Sequence, residues 1–148
     1  MFFFSWPFFG YDWLTLGISL SIVFLIIGIS EIIRAFSFLS NENNRRFVHI
    51  LVGLFCSVSP NLFQSNFQPL ILGLLFLVLN TIALKIDIFK GIHSLKRVSY
   101  GTIYFPISYT LLVAFFWDYP SYITISLALL SFADPTASFV GQKIKNPY

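Results

Sequence analysis

The sequence predicts an all-α, polytopic membrane helix bundle of about five transmembrane helices, forming one integral membrane domain over residues 1–148. Three observations predict it. Hydrophobic residues make up 57% of the chain and charged residues only 10%, more apolar surface than a soluble domain of this size can bury. The apolar residues, nineteen phenylalanines among them, fall into runs of helical length separated by short polar or proline-marked breaks. A chain of 148 residues also leaves room for about five crossings of a hydrocarbon core, each needing about 20 residues. The lipid bilayer is the expected surrounding and no nucleic-acid partner is expected; the oligomeric state is not legible.

The residues before the first span are aromatic and carry no Lys or Arg, unlike a secretory signal. Trp6, Tyr11 and Trp13 suit an interfacial aromatic belt. Leu14 to Phe36 is the first span, with Glu31 and Arg34 paired i, i+3 near its end. After a polar loop at Ser40 to Asn44, Phe47 to Phe63 is a second span, shortened by Pro60 and containing His49; a re-entrant segment is its alternative. Pro69 opens a third through Leu84, in which Asn80 reads as an interhelical hydrogen-bonding residue. Gly101 to Trp117 and Tyr119 to Ala133 make the fourth and fifth, both short for a span, joined by a turn at Asp118, Tyr119 and Pro120. Pro135 is expected to end the fifth and to start a new helix with Asp134 as its N-cap. The lone Cys56 lies in an apolar stretch and reads as packing.

The nine basic residues set the orientation. Arg34, Arg45 and Arg46 follow the first span, Lys85, Lys90, Lys96 and Arg97 the third, and Lys143 and Lys145 the fifth. Five crossings with the amino terminus outside place all nine on one face, which the positive-inside bias makes cytoplasmic. A re-entrant second segment would separate them, so a true crossing is preferred.

That topology brings three polar groups to one face. Arg45 and His49 lie i, i+4 on one helical face, with Arg46 beside them. Arginine forks suit phosphate oxygens, and histidine can act as a base near neutral pH. The competing reading makes the arginines a membrane anchor and His49 a residue satisfied by a neighbouring helix. The second group, Lys96 and Arg97 running into Gly101 before a helix, can gather cations and backbone N–H groups around one anion, or hold acidic headgroups. The third is Asp134, in Ala-Asp-Pro-Thr-Ala-Ser-Phe-Val-Gly ending at Gly141, where a carboxylate can hold a magnesium-bound phosphate.

Taken in order, Arg45-Arg46-Phe-Val-His49, the run from Ser99 to Ser108, and Ala133 to Gly141 resemble motifs of the phytol, farnesol and dolichol (polyprenol) kinase family over roughly Asn44 to the end. The resemblance implies a membrane enzyme transferring a phosphoryl group, typically from CTP, to the hydroxyl of a long isoprenoid alcohol at the cytoplasmic face. It implies Asp134 and His49 as catalytic residues and Asp134 as the Mg²⁺ ligand. Arg45, Arg46, Lys96, Arg97, Gly101, Gly141 and Lys143 are then the nucleotide and phosphate contacts. Arg46 departs from the family's usual lysine. The usual Lys-Ser-containing stretch and further spans after the third motif are absent, so the 148 residues are expected to be incomplete at the carboxyl end and weakly active alone. Ser131, Asp134 and Ser138 are accordingly expected to be short of partners. The alternatives are a CTP-dependent phosphatidate cytidylyltransferase-like enzyme, whose Asp-rich ending is missing, and a non-enzymatic transport or scaffold protein.

The topology is checked by single cysteines placed at Asn43 and Ser94 and probed with a membrane-impermeant thiol reagent. Both are expected to react from the cytoplasmic side alone, and labelling from opposite sides would reject five crossings.

Overall fold

The computed structural model describes residues 11–86 and 101–143. Among these residues the chain is all-helical, with six helices and no strand: α1 (Tyr11–Ala35), α2 (Asn41–Ser57), α3 (Ser59–Leu62), α4 (Phe67–Ile86), α5 (Gly101–Phe116) and α6 (Pro120–Lys143). By length and composition α1 and α6 are long and apolar enough to cross a membrane, while α4 and α5 contain shorter apolar stretches. Trp6, Lys90, Lys96, Arg97 and Lys145 lie outside the described residues.

Local chemistry explains where the helices start and stop. At the end of α1, Phe38 N–H donates to the Ile33 carbonyl and Ser37 N–H to the Arg34 carbonyl, with Ser37 left-handed at φ 59°. This is a Schellman closure, which satisfies carbonyls that the helix end would otherwise strand. Ser40 then caps α2 by accepting from Asn43 N–H. Pro60 sits in the first turn of α3, where a missing N–H costs nothing, so the apolar run expected as one second span is divided into α2 and a separate single turn.

The larger departure is at Pro135. A new helix capped by Asp134 was the expectation; instead α6 runs unbroken for 24 residues with Pro135 inside it, about 36 Å at 1.5 Å per residue. Asp134 is therefore an interior helical residue and not an N-cap, and the last helix is no longer short for a span. Pro135 removes one N–H bond to the carbonyl four residues back. The turns beyond it are held by α2, because Arg46 donates to Ser138 Oγ from Nε and Nη2 at 3.3 and 3.0 Å.

The five long helices close a ring in the order α1, α2, α6, α5, α4, packed most closely between α2 and α6 and between α4 and α5. Glycines permit both close approaches. A Cβ at Gly53 would strike the side chain of Ser131, and one at Gly73 would strike Thr110 and Tyr109, the small-residue logic of helix pairing in apolar surroundings. A core of Leu16, Cys56, Leu72, Tyr109, Val113 and Leu127 is buried between the helices, whereas Ile18, Leu25, Ile29, Leu111, Phe115 and Leu129 are exposed. At the end away from the arginines, Asp12 is 4% exposed and its carboxylate accepts the backbone N–H groups of Gln64 and Ser65 at 3.0 and 3.1 Å. This ties the start of α1 to the turn before α4. The carboxylate stays tolerable in an apolar setting because its lone pairs are engaged.

Gly53→Ala is expected to lower stability by about 1–3 kcal/mol through overpacking. The pair Gly53→Ala with Ser131→Gly should recover most of it. Denaturant titration in detergent reads both; failure of the pair to recover stability would show that the α2–α6 approach is not the constraint.

Candidate functional site

Between the helices lies a cavity of about 350 Å³. Its body is apolar, lined by Val23, Val52, Cys56, Leu72, Phe76 and Tyr109, and its mouth carries Asn44, Arg45, Arg46, His49, Asp134 and Ser138. The mouth opens at the end of the bundle where α1 finishes, α2 begins, α4 finishes and α5 begins, so the basic residues within the described parts gather there. His49 and Cys56 are separated by two turns, so the apolar body reaches about 10 Å beneath the mouth.

The α2–α6 seam builds the charged side. His49 Nε2 lies 3.9 Å from Asp134 Oδ2, too far for a hydrogen bond. The ring is hydrogen-bonded to the Leu130 backbone and stands edge-on to Phe105 at 5.2 Å between centroids. With the imidazole held on two sides, Nε2 is buried and without a hydrogen-bond partner. Asp134 keeps 59% of its side chain exposed, so its carboxylate is open to whatever enters the mouth.

The two arginines divide. Arg46 is buried and donates to Ser138 Oγ, and from Nη1 to Asn43 Oδ1 at 3.0 Å, with Glu42 Oε1 at 3.4 Å and the Phe139 ring beneath its guanidinium at 5.6 Å. Glu42 Oε1 also accepts from Ser138 Oγ at 3.0 Å and from Arg45 Nη2 at 3.1 Å. Arg46 is thus engaged as a clamp between α2 and α6, a fork geometry that a lysine would not reproduce. Arg45 is held by Glu42 through one nitrogen and lines the cavity mouth.

The other residues singled out in the sequence fall differently. Gly141 is exposed, outside the cavity lining, with open space where a Cβ would stand. Gly101 opens α5 and Lys143 ends α6. Lys96 and Arg97 lie outside the described residues. The expectation that Ser131 and Ser138 would be short of partners is overturned: Ser131 is fully buried with its hydroxyl donating to the Leu127 carbonyl at 2.6 Å, and Ser138 bridges Arg46 and Glu42. Glu42, Asn44 and Thr102 were missed, as was the bridging part of Ser138. Glu42 was findable, three and four residues before the two arginines, as was Ser138, one turn beyond Asp134.

The division of the arginines is measurable. Arg46→Met is expected to cost about 1–3 kcal/mol of stability by stranding hydrogen-bonding groups, and Arg45→Met less than about 1 kcal/mol. Equal losses in detergent unfolding would contradict the clamp.

A phytol kinase from Synechocystis sp. is similar to this chain, 24% identical over 133 residues that make up 88% of the chain and 57% of that protein. The chain thus spans little more than half of that relative's length. No family model matches, and no solved structure matches. The similarity supports a distant relationship to the phytol kinase family.

Proposed function

We propose that the chain is the membrane-embedded body of a kinase that transfers a phosphoryl group from a nucleoside triphosphate, CTP by family resemblance, to the hydroxyl of a long-chain isoprenoid alcohol. The observation that carries this reading is a cavity with an apolar body and a mouth bearing Arg45, Arg46, His49 and Asp134. An isoprenoid alcohol dissolves in lipid and a nucleotide in water, so a site for both needs this division, at the cytoplasmic face of a bilayer. The relationship to a phytol kinase supports it.

In this reading the lipid tail occupies the apolar body and the hydroxyl comes to rest at His49. Its oxygen bonds to the terminal phosphorus as the bond to the nucleoside diphosphate breaks, and its proton passes to Nε2, which has no other partner. Arg45 neutralises phosphate charge, the main demand of phosphoryl transfer. Arg46, through Ser138, keeps Asp134 opposite His49. No cluster of three or more His, Cys, Asp or Glu exists among the described residues. Mg²⁺ nonetheless fits Asp134, since that ion usually takes one or two carboxylates and completes its shell with phosphate oxygens and water. Bound there, it would supply charge stabilisation to the transferring group.

The test is Asp134→Asn, assayed with labelled CTP or ATP and a panel of phytol, farnesol, geranylgeraniol, dolichol and diacylglycerol. The chain extended by a relative's downstream segment is assayed beside it. Because Asp134 is an exposed residue within a helix, the substitution should leave folding intact while lowering turnover at least about a hundredfold. Turnover near that of the parent would remove Asp134 from the chemistry.

A further inference from the structure

The contacts between helices fix which residues stand at the same depth in the cavity. Along the antiparallel α2–α6 seam, Gly53 meets Ser131, and one turn nearer the mouth His49 meets Asp134. Gly53 also meets Phe105, which sets α5 level with them; one turn nearer the mouth on α5 is Thr102. Along the antiparallel α4–α5 seam, Gly73 meets Tyr109 and Thr110. Two turns return a helix to nearly the same face, so Asn80 stands across from Thr102. Four helices therefore present His49, Asn80, Thr102 and Asp134 in one layer, and all four line the cavity.

The layer lies where the apolar body gives way to the cationic mouth. Beneath it are Val52, Cys56, Leu72 and Tyr109; beyond it are Arg45 and Ser138. Thr102 Oγ1, like His49 Nε2, is buried without a hydrogen-bond partner. Buried polar atoms are ordinarily paired, so two orphans in one layer of a cavity mark a place for a group that can pair with both.

We propose that this layer seats the acceptor hydroxyl and that Asn80 and Thr102 are its binding residues; the proposal rests on the kinase reading above. A hydroxyl offers one proton and two lone pairs. The Asn80 carboxamide and the Thr102 hydroxyl donate to the oxygen, and His49 Nε2 accepts the proton. All three bonds are met only when the carbon chain runs into the apolar body and the oxygen faces Arg45, the orientation that phosphoryl transfer requires. A site of this kind discriminates strongly against an analogue lacking the hydroxyl, because its own polar groups are then left unpaired.

Binding without turnover tests the layer. Tritiated farnesol, and the hydrocarbon of the same skeleton without the hydroxyl, are equilibrated with the purified chain in detergent in the absence of nucleotide. The parent should hold farnesol at least about tenfold more tightly than the hydrocarbon. Asn80→Leu and Thr102→Val should each weaken farnesol about tenfold and leave the hydrocarbon unchanged, while Thr102→Ser, which keeps the hydroxyl, should bind farnesol like the parent. Equal binding of the two ligands by the parent, parent-like farnesol binding by Thr102→Val, or a loss in Thr102→Ser as large as in Thr102→Val would each overturn the proposal. Thermal midpoints are measured for every variant, and the Val and Ser pair at Thr102 decides the matter if Asn80→Leu does not fold. Absence of phosphorylation would count against the kinase reading, whereas phosphorylation with an unchanged alcohol KM in Thr102→Val would count against this layer alone.

Discussion

The close approach of α2 and α6 is the constraint on which the rest of the site depends. Gly53 offers no Cβ, so Ser131 can press against its backbone, and the two helices run side by side for several turns. Because they are antiparallel, each turn toward the mouth brings another pair into register: first His49 with Asp134, then Arg46 with Ser138. A wider separation would take the imidazole and the carboxylate out of each other's reach and leave the Arg46 guanidinium without its serine.

Polarity is segregated along the bundle with an anchor at each end. At one end the Asp12 carboxylate gathers the N–H groups of Gln64 and Ser65 and joins α1 to α4. At the other, Glu42 and Arg46 bind α2 to α6 through Ser138. Between them the core beneath the layer of His49, Asn80, Thr102 and Asp134 is mostly apolar, and the exterior carries exposed Ile, Leu and Phe along α1, α5 and α6. Such an exterior has no favourable contact with water and a natural one with lipid, where hydrogen bonds and small-residue packing hold helices together.

Glu42 reconciles two cations standing side by side near a cavity. Sharing one carboxylate oxygen between Arg45 and Arg46 offsets their mutual repulsion. Arg46 spends its other donors on Asn43 and Ser138, which leaves Arg45 as the cation with donors to spare. Two adjacent residues of one type thus take different roles through what their neighbours offer.

The apolar runs already contained the helices, because burying or exposing apolar surface is decided by composition and period, which a sequence carries openly. Arg45, His49 and Asp134 could be named for the same reason: ionisable groups at the ends of apolar runs stand out. Tertiary structure decided the rest. Pro135 read as a helix start, yet the helix passes through it because α2 holds the turns beyond, a contact between residues 92 positions apart. Arg46 read as a phosphate ligand, and at the cavity mouth its guanidinium also clamps α2 to α6, a contact that depends on a facing serine. Asn80 read as a helix-pairing residue and lines the cavity, since its level against Thr102 is set by the approach of Gly73 to Tyr109. Local pattern specifies what each helix can bury; the register between helices, which arises only when small residues let them touch, specifies which polar groups meet.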